Sequence, residues 1–473
     1  MIHFFKKPNN IKMRIIPYGA AESVTGSCFL IETGKIKILV DCGLFQNDNN
    51  GEHFQDFPFD AKDIDFVLLT HAHLDHIGRI PLLIKRGFKG IIFSTKATFE
   101  IGRLMLLDAA KVMYEDYIVK SRKAQRRGET VPPPLYNEDD VINSYDYFKS
   151  IDYDEKIRLS GDVTVIFKDA GHILGSAFVE IFVKDKDEEK KVIFSGDLGN
   201  RNKPIVRDPT LPDDAQTVFI ETTYGDREHK DFETSKKELL EAINYAFSNN
   251  GNVIIPTFAL ERAQELLYLF RELYEEKKLP SCRVFLDSPL AISATELFKK
   301  HIEYFDKEAC DLVKSGKDPF SFPYLIYTRT VEDSKAINLF KGNAIIIAGS
   351  GMCNGGRILH HLKHNLWNPN NSIVFVGFQA KGTLGRRIVD GEKFVNIYGE
   401  QIKVAAKIST INGFSSHADR TIIKNWLSQI KSLENVYLIH GEKDVMDNFK
   451  NYLRSNFPAL TINIPKFGEE LLF

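Results

Sequence analysis

The chain is poor in cysteine and tryptophan, lacks any long apolar run, and carries no excess of either charge. Its five cysteines, Cys28, Cys42, Cys282, Cys310 and Cys353, are odd in number, scattered, and never spaced C-x-x-C. That excludes a disulfide framework and fits a reducing compartment. No run is long enough to span a bilayer, and Lys6 and Lys7 have no apolar segment behind them. Neither membrane insertion nor a secretory leader is expected, and a cytoplasmic location follows. Lys plus Arg total 62 against 64 Asp plus Glu, so any polyanion site must be a local patch. What is there is an ordinary globular composition, 43% hydrophobic and 27% charged over 473 residues. That length calls for two or three structural units.

One stretch is unlike the rest. Residues 70–81 read Thr70-His71-Ala72-His73-Leu74-Asp75-His76-Ile77-Gly78-Arg79-Ile80-Pro81, directly after the apolar run 66–69, which reads as a buried strand. On extended backbone, side chains two apart share a face, so His71 and His73 can reach one metal ion while Asp75 and His76 face elsewhere. Three imidazoles and a carboxylate within six residues give two half-sites of the nitrogen and oxygen donors that suit zinc. Strands are predicted over 13–16, 27–33 and 36–40. The last ends at Asp41, which can ligate metal or hold a ligand histidine from behind; the second role is favoured. Strands over 163–167, 177–183 and 191–194 lead to His172, flanked by glycines, and to Asp197 on the tip Gly196-Asp197-Leu198-Gly199, with a charged turn over 184–190. A carboxylate so placed can bridge two cations about 3.5–4 Å apart. The helix predicted over 95–123 ends in a basic run, Lys120 to Arg127, read mainly as a solvated face.

Asp41, the His71-x-His73-x-Asp75-His76 run, His172 and Asp197 stand in the order and context of the metallo-β-lactamase fold hydrolases, and the chain resembles that superfamily. The resemblance implies an αββα sandwich (α/β in class, an α+β sandwich) with a dinuclear site at one sheet edge. Beyond it, apolar strands beginning at Val218, Val253, Arg283, Asn343 and Ile373 alternate with helices, which predicts a separate doubly wound α/β unit. His417 and His440 each end an apolar strand. Glu221, His417 and His440 look like motifs A, B and C of the β-CASP branch, the nucleic-acid-processing enzymes. Histidine at the last position is what that family's RNA nucleases carry, where DNA-repair members typically have valine. One departure is Glu261, where glycine is frequent. The division implied is a metallo-β-lactamase domain over 1–223, an inserted β-CASP domain over 224–411, and a return to the first domain over 412–473.

Carried onto these residues, the resemblance implies His71, His73 and His172 around one zinc, Asp75, His76 and His440 around a second, and Asp197 bridging. Manganese suits the same ligands. Two cations would make a hydroxide nucleophile from a shared water, with Asp75 orienting it or accepting its proton. His417, oriented and kept charged by Glu221, would protonate the departing 3′-oxygen. Ser350, Gly351 and Met352, in a glycine-rich turn before a helix bearing His360, His361 and His364, are candidate substrate contacts, as are Arg262 and His361. The expected function is zinc-dependent hydrolysis of single-stranded RNA in processing or decay, the RNA threading a cleft between sandwich and insert. The alternatives are a DNA nuclease, a small-molecule (thio)ester metallohydrolase and an inactive RNA-binding scaffold. The residues leave open endonucleolytic against 5′-to-3′ exonucleolytic cleavage, and a homodimer against a monomer.

Overall fold

The apolar runs on either side of the histidine cluster pair into two seven-stranded sheets. A computed structural model describes residues 13–45, 56–185 and 188–473; the amino-terminal lysines and the tip of the charged turn, 186–187, lie outside the described residues. Two compact units form, one from residues 1–199, 209–227 and 417–473, the other from 200–208 and 228–416.

In the first unit, one sheet runs Leu471–Leu472, Arg14–Pro17, Phe29–Glu32, Lys37–Val40, Phe66–Leu68, Ile91–Thr95, Phe148–Ile151. The other runs Thr461–Asn463, Asn435–Ile439, Thr217–Glu221, Glu188–Phe194, Ala177–Asp185, Val163–Asp169, Ile157–Arg158. Alternation along each strand sends Ile15, Phe29, Ile31, Ile38 and Val40 of the first sheet against Val165, Phe167, Val179, Ile181 and Phe219 of the second, in one buried core. The opposite face of the second sheet, with Phe178, Ile193, Val218 and Leu438, is covered by helices Arg420–Leu427 and Lys443–Asn456 through Ile423, Trp426, Met446 and Phe449. Helix Lys96–Gln125 lies against Ile91–Thr95 and Phe148–Ile151. The layers are helix, sheet, sheet, helix, the αββα sandwich expected.

An aromatic ladder fixes the strands that matter for the site. Phe194, Phe219 and Tyr437 are register partners on three adjacent parallel strands. Their rings stack at 4.5 Å and 9°, then 4.7 Å and 11°. Within three residues these same strands reach Asp197, Glu221 and His440, so the ladder sets the register in which the three tips emerge.

The second unit is doubly wound around a parallel sheet in the order Leu325–Tyr327, Arg283–Asp287, Ala344–Ala348, Val253–Pro256, Ser372–Phe375, Lys407–Thr410. It also takes in Asn200–Asp208, which the sequence division leaves in the first unit. There Val206 bridges to Phe305, and Asp306 N donates to Ile205 O at 2.7 Å. Among the described residues, no helix is long and apolar enough to cross a membrane.

Removing the middle ring of the ladder tests its weight. Phe219→Ala should cost about 3–5 kcal/mol of the first unit's stability. The measurement is guanidinium unfolding in a Trp367→Phe background, where Trp426, buried beside Phe178, is the remaining tryptophan. A loss under about 1 kcal/mol would mean that the core closes around the gap and the ladder is dispensable.

Candidate metal centre

The site begins with a change of backbone at His73. After strand Phe66–Leu68 the chain bends at Ala72 and reaches His73 in an extended conformation (φ −69°, ψ 146°), after which Leu74–Ile77 makes one helical turn. That switch separates His71 and His73 from Asp75 and His76. The turn is stitched to neighbouring loops: Ser27 N donates to Asp75 O at 2.8 Å, Cys42 N to His76 O at 2.7 Å, and Leu44 N to Leu74 O at 2.8 Å. A Cβ on Gly43 would stand 1.6 Å from Asp75 O, so only glycine lets these two backbones approach so closely.

His71, His73, His172 and Asp197 converge in one group, Asp75, His76 and His440 in another, and Asp197, Glu221 and His417 in a third. Asp197 joins the first two. Its Oδ2 lies 3.4 Å from His71 Nε2 and 3.5 Å from His172 Nε2, while its Oδ1 lies 3.3 Å from His76 Nε2 and 3.6 Å from His440 Nδ1. His440 Nε2 is also 3.4 Å from Asp75 Oδ2.

Behind the ligating atoms sits a hydrogen-bonded shell. Asp41 Oδ1 accepts from Thr70 N at 2.8 Å, and its Oδ2 accepts from Thr70 Oγ1 at 2.8 Å and from His76 Nδ1 at 2.7 Å. His76 is thereby held with Nε2 facing the cluster. Asp41 itself adopts φ 59°, and it stands outside all three groups. Thr70 Oγ1 also lies 3.1 Å from His71 Nδ1. Thr70 has no mark in the sequence beyond preceding the histidines, and sequence reasoning misses it, as it does Thr223, whose Oγ1 is 3.2 Å from His440 Nδ1. Glu221 is fully buried, accepts from Leu198 N and Thr223 N, and meets His417 Nδ1 at 3.0 Å.

These surroundings sort the imidazoles. Burial pushes His71 down to about 4 and His73 to about 3, and drives His172 well below its ordinary value, so all three are neutral with lone pairs available at pH 7. Burial also opposes charge on His76, but Asp197 and Asp41 outweigh it and raise that group well above normal. For His417, burial is outweighed by Glu221, and the value rises to about 9.

The residues fit divalent cations. Imidazole nitrogens face one another at 3.0 Å (His71 Nε2 to His73 Nδ1), 3.3 Å (His73 Nδ1 to His172 Nε2) and 3.4 Å (His76 Nε2 to His440 Nε2). Imidazole nitrogens gathered this closely cannot all satisfy one another, whereas a cation shared within each group satisfies every member of it. Buried Asp197 Oδ1 accepts no hydrogen bond among the described residues.

Other predicted positions fall elsewhere in the second unit. Arg262 and His361, expected to touch substrate, are buried and engaged: Arg262 pairs with Glu265 and donates to Ser416 Oγ at 3.2 Å, and His361 Nε2 meets Asp287 at 2.6 Å. Asp287, which sequence reasoning misses, also accepts from Arg357, Thr328 and Ser334. With these partners both side chains brace loops instead of facing solvent. Ser350 closes its own turn, donating to Gly355 O and accepting from Asn354 N, and Gly351 O accepts from Gln379. Met352, half-buried, sits on the same turn, its carbonyl oxygen accepting from Gly385 N. His360 is exposed and packs on Tyr398, with the ring centroids 4.7 Å apart.

A set of histidines and carboxylates converging at the strand tips of an αββα sandwich defines a metal-dependent hydrolase. Comparison with known proteins agrees. The metallo-β-lactamase superfamily profile matches residues 23–257, the β-Casp domain 263–388, and the Zn-dependent metallo-hydrolase RNA specificity domain 401–465. Ribonuclease TTHA0252 of Thermus thermophilus is 41% identical over 458 residues, covering 97% of this chain and 99% of that protein. Transcription termination factor FttA of Methanosarcina mazei is 31% identical over 467 residues, covering 95% of this chain and 70% of that protein. A crystal structure of a protein of unknown function from Enterococcus faecalis shares the fold, with a TM-score of 0.53 at 14% identity over 98% of this chain and all of that one. The chain belongs to the metallo-β-lactamase superfamily, in its β-CASP branch, and binds divalent metal as that superfamily does.

Asp41 gives a test that leaves the ligating atoms untouched. Asp41→Asn removes an oxygen that accepts from His76, and metal affinity should fall roughly 10- to 100-fold. Chelator competition reads the affinity, with circular dichroism as the check on folding. Unchanged affinity would show that His76 is oriented without Asp41.

Proposed function

We propose that the protein is a zinc-dependent ribonuclease that holds two zinc ions per chain and hydrolyses phosphodiester bonds of single-stranded RNA. The observation that carries this reading is Asp197, each of whose oxygens faces a different set of imidazoles, as a carboxylate shared by two cations requires. The RNA substrate is supported by the 41% identity to a protein named as a ribonuclease and by the match to an RNA specificity domain. The five cysteines are free thiols, in keeping with work in a reducing cytoplasm on RNA processing or decay.

In this reading His71, His73 and His172 would hold one ion, Asp75, His76 and His440 the other, and Asp197 would be shared by both. When bound, the ions supply Lewis acidity, lowering the pKa of water at the site and neutralising charge on the scissile phosphate. Asp75 orients the attacking water and takes its proton as a new P–O bond forms. The P–O3′ bond breaks, and His417 protonates the departing 3′-oxygen through Nε2 while Nδ1 stays on Glu221. With its value near 9, His417 carries that proton at neutral pH. The products are a 5′-phosphate and a 3′-hydroxyl.

End-labelled single-stranded RNA and a matched DNA, offered to zinc-loaded wild type, His417→Ala and Asp197→Ala, test the assignment. Wild type should cut RNA and leave 5′-phosphate ends, and stripping the metal should stop it. His417→Ala should keep about two metals per chain by elemental analysis and lose roughly 10²- to 10⁴-fold in rate, while Asp197→Ala should lose metal. Wild type that holds both metals yet cuts neither polymer would sink the ribonuclease reading and turn attention to small esters and thioesters.

A further inference from the structure

The doubly wound unit has its own crevice. Strands Val253–Pro256 and Ala344–Ala348 are neighbours, and the chain leaves them in opposite directions, toward Arg283–Asp287 from the first and toward Ser372–Phe375 from the second. Loops diverge at the carboxyl ends of such a pair, and open α/β sheets take their ligands there.

At this point side chains have been cleared away. A Cβ on Gly349 would lie 3.6 Å from Ser288 Oγ and 3.7 Å from Thr257 O, so the loops following three strands meet around it. Phe258 rests on the same floor. A Cβ on Gly351 would stand 2.7 Å from its ring, and one on Gly377 3.4 Å. Gln379 fastens both glycines, its Nε2 donating to Gly351 O at 3.0 Å and to Gly377 O at 3.1 Å. Phe258 is therefore supported from below by clamped, bare backbone, while 38% of it remains open to solvent.

A braced ring with one open side, at the ligand edge of the sheet, suits a flat partner. Aromatic side chains of this kind take unpaired bases whatever their sequence, because every base presents a π face. We infer that Phe258 is a stacking platform for one base of the single-stranded RNA, an inference that rests on the ribonuclease reading. Glycine at 351 is what leaves the ring its place, since a Cβ there would collide with it.

The test uses the zinc-loaded full chain as wild type, Phe258→Ala and Phe258→Trp. The substrates are one RNA, a series of the same RNA with a single abasic nucleotide at successive positions, and bis(p-nitrophenyl) phosphate, which has no base. Wild type should lose roughly 5- to 150-fold in kcat/KM, mostly in KM, at one abasic position. Phe258→Ala should show that loss on intact RNA and no further loss at that position, Phe258→Trp should restore it, and all three should hydrolyse bis(p-nitrophenyl) phosphate alike. Phe258→Ala that cuts intact RNA at the wild-type rate overturns the inference. So does an equal loss on bis(p-nitrophenyl) phosphate, which marks damage to the site and not a missing stack. Wild type that hydrolyses bis(p-nitrophenyl) phosphate but no RNA overturns the ribonuclease reading as well.

Discussion

A buried carboxylate facing two groups of imidazoles, Asp197, is the constraint on which the rest of the site depends. An ionised carboxylate taken out of water is costly unless positive charge and hydrogen bonds replace the water. Its Oδ1 accepts no hydrogen bond among the described residues, and the groups gathered around both oxygens are imidazoles. Compensation therefore comes from cationic partners, divalent ions or protonated imidazoles, and their geometry must be held firmly. Three adjacent strands do the holding. The stacked rings of Phe194, Phe219 and Tyr437 lock their register a few residues before Asp197, Glu221 and His440 emerge, so packing in the core sets distances in the site.

Two small hubs turn this scaffold into chemistry. Thr70 and Asp41 form one: a hydroxyl and a carboxylate fix which nitrogen of His76 turns inward and brace His71 beside it. Glu221 is the other, receiving two backbone N–H groups and the Nδ1 of His417. Both hubs favour a proton on the histidine they hold, Asp41 on His76 and Glu221 on His417, while burial acts against charge on all of them. Burial holds His71, His73 and His172 neutral, whereas Glu221 keeps a proton on His417.

The parts of this site that are local in the chain are legible in the sequence by itself. Four of the converging residues lie within six positions, and His172 and Asp197 announce themselves at strand tips among glycines. The distant partners, Glu221, His417 and His440, are legible through a family resemblance and not through periodicity. What stays hidden depends on tertiary pairing. A threonine before a histidine has many uses, and nothing in sequence gives Thr70 three partners. Arg262 and His361 read as candidate substrate contacts, yet each is buried against a carboxylate: Glu265, three residues on in the same helix, and Asp287, which lies close to His361 only in the folded chain. The Asn200–Asp208 excursion is invisible for the same reason. Glu261 shows the converse: it adopts φ 65°, where a side chain is strained and glycine is not, which accounts physically for the glycine common at that position in the resembled pattern.

Exposure varies across the site. The side chains of His71, His76, His172, Asp197 and His440 are at most 4% exposed, whereas Asp75 and His417 reach 18% and 21%. A residue that only holds an ion gains from being sealed, because exclusion of water strengthens every charge interaction around it. A residue that must exchange a proton with substrate or solvent cannot be sealed. His73 is partly exposed as well, so the three together mark the open side of the site. In the proposed reading, a phosphodiester would reach the site from that open side, where Asp75 and His417 are the groups placed to exchange protons.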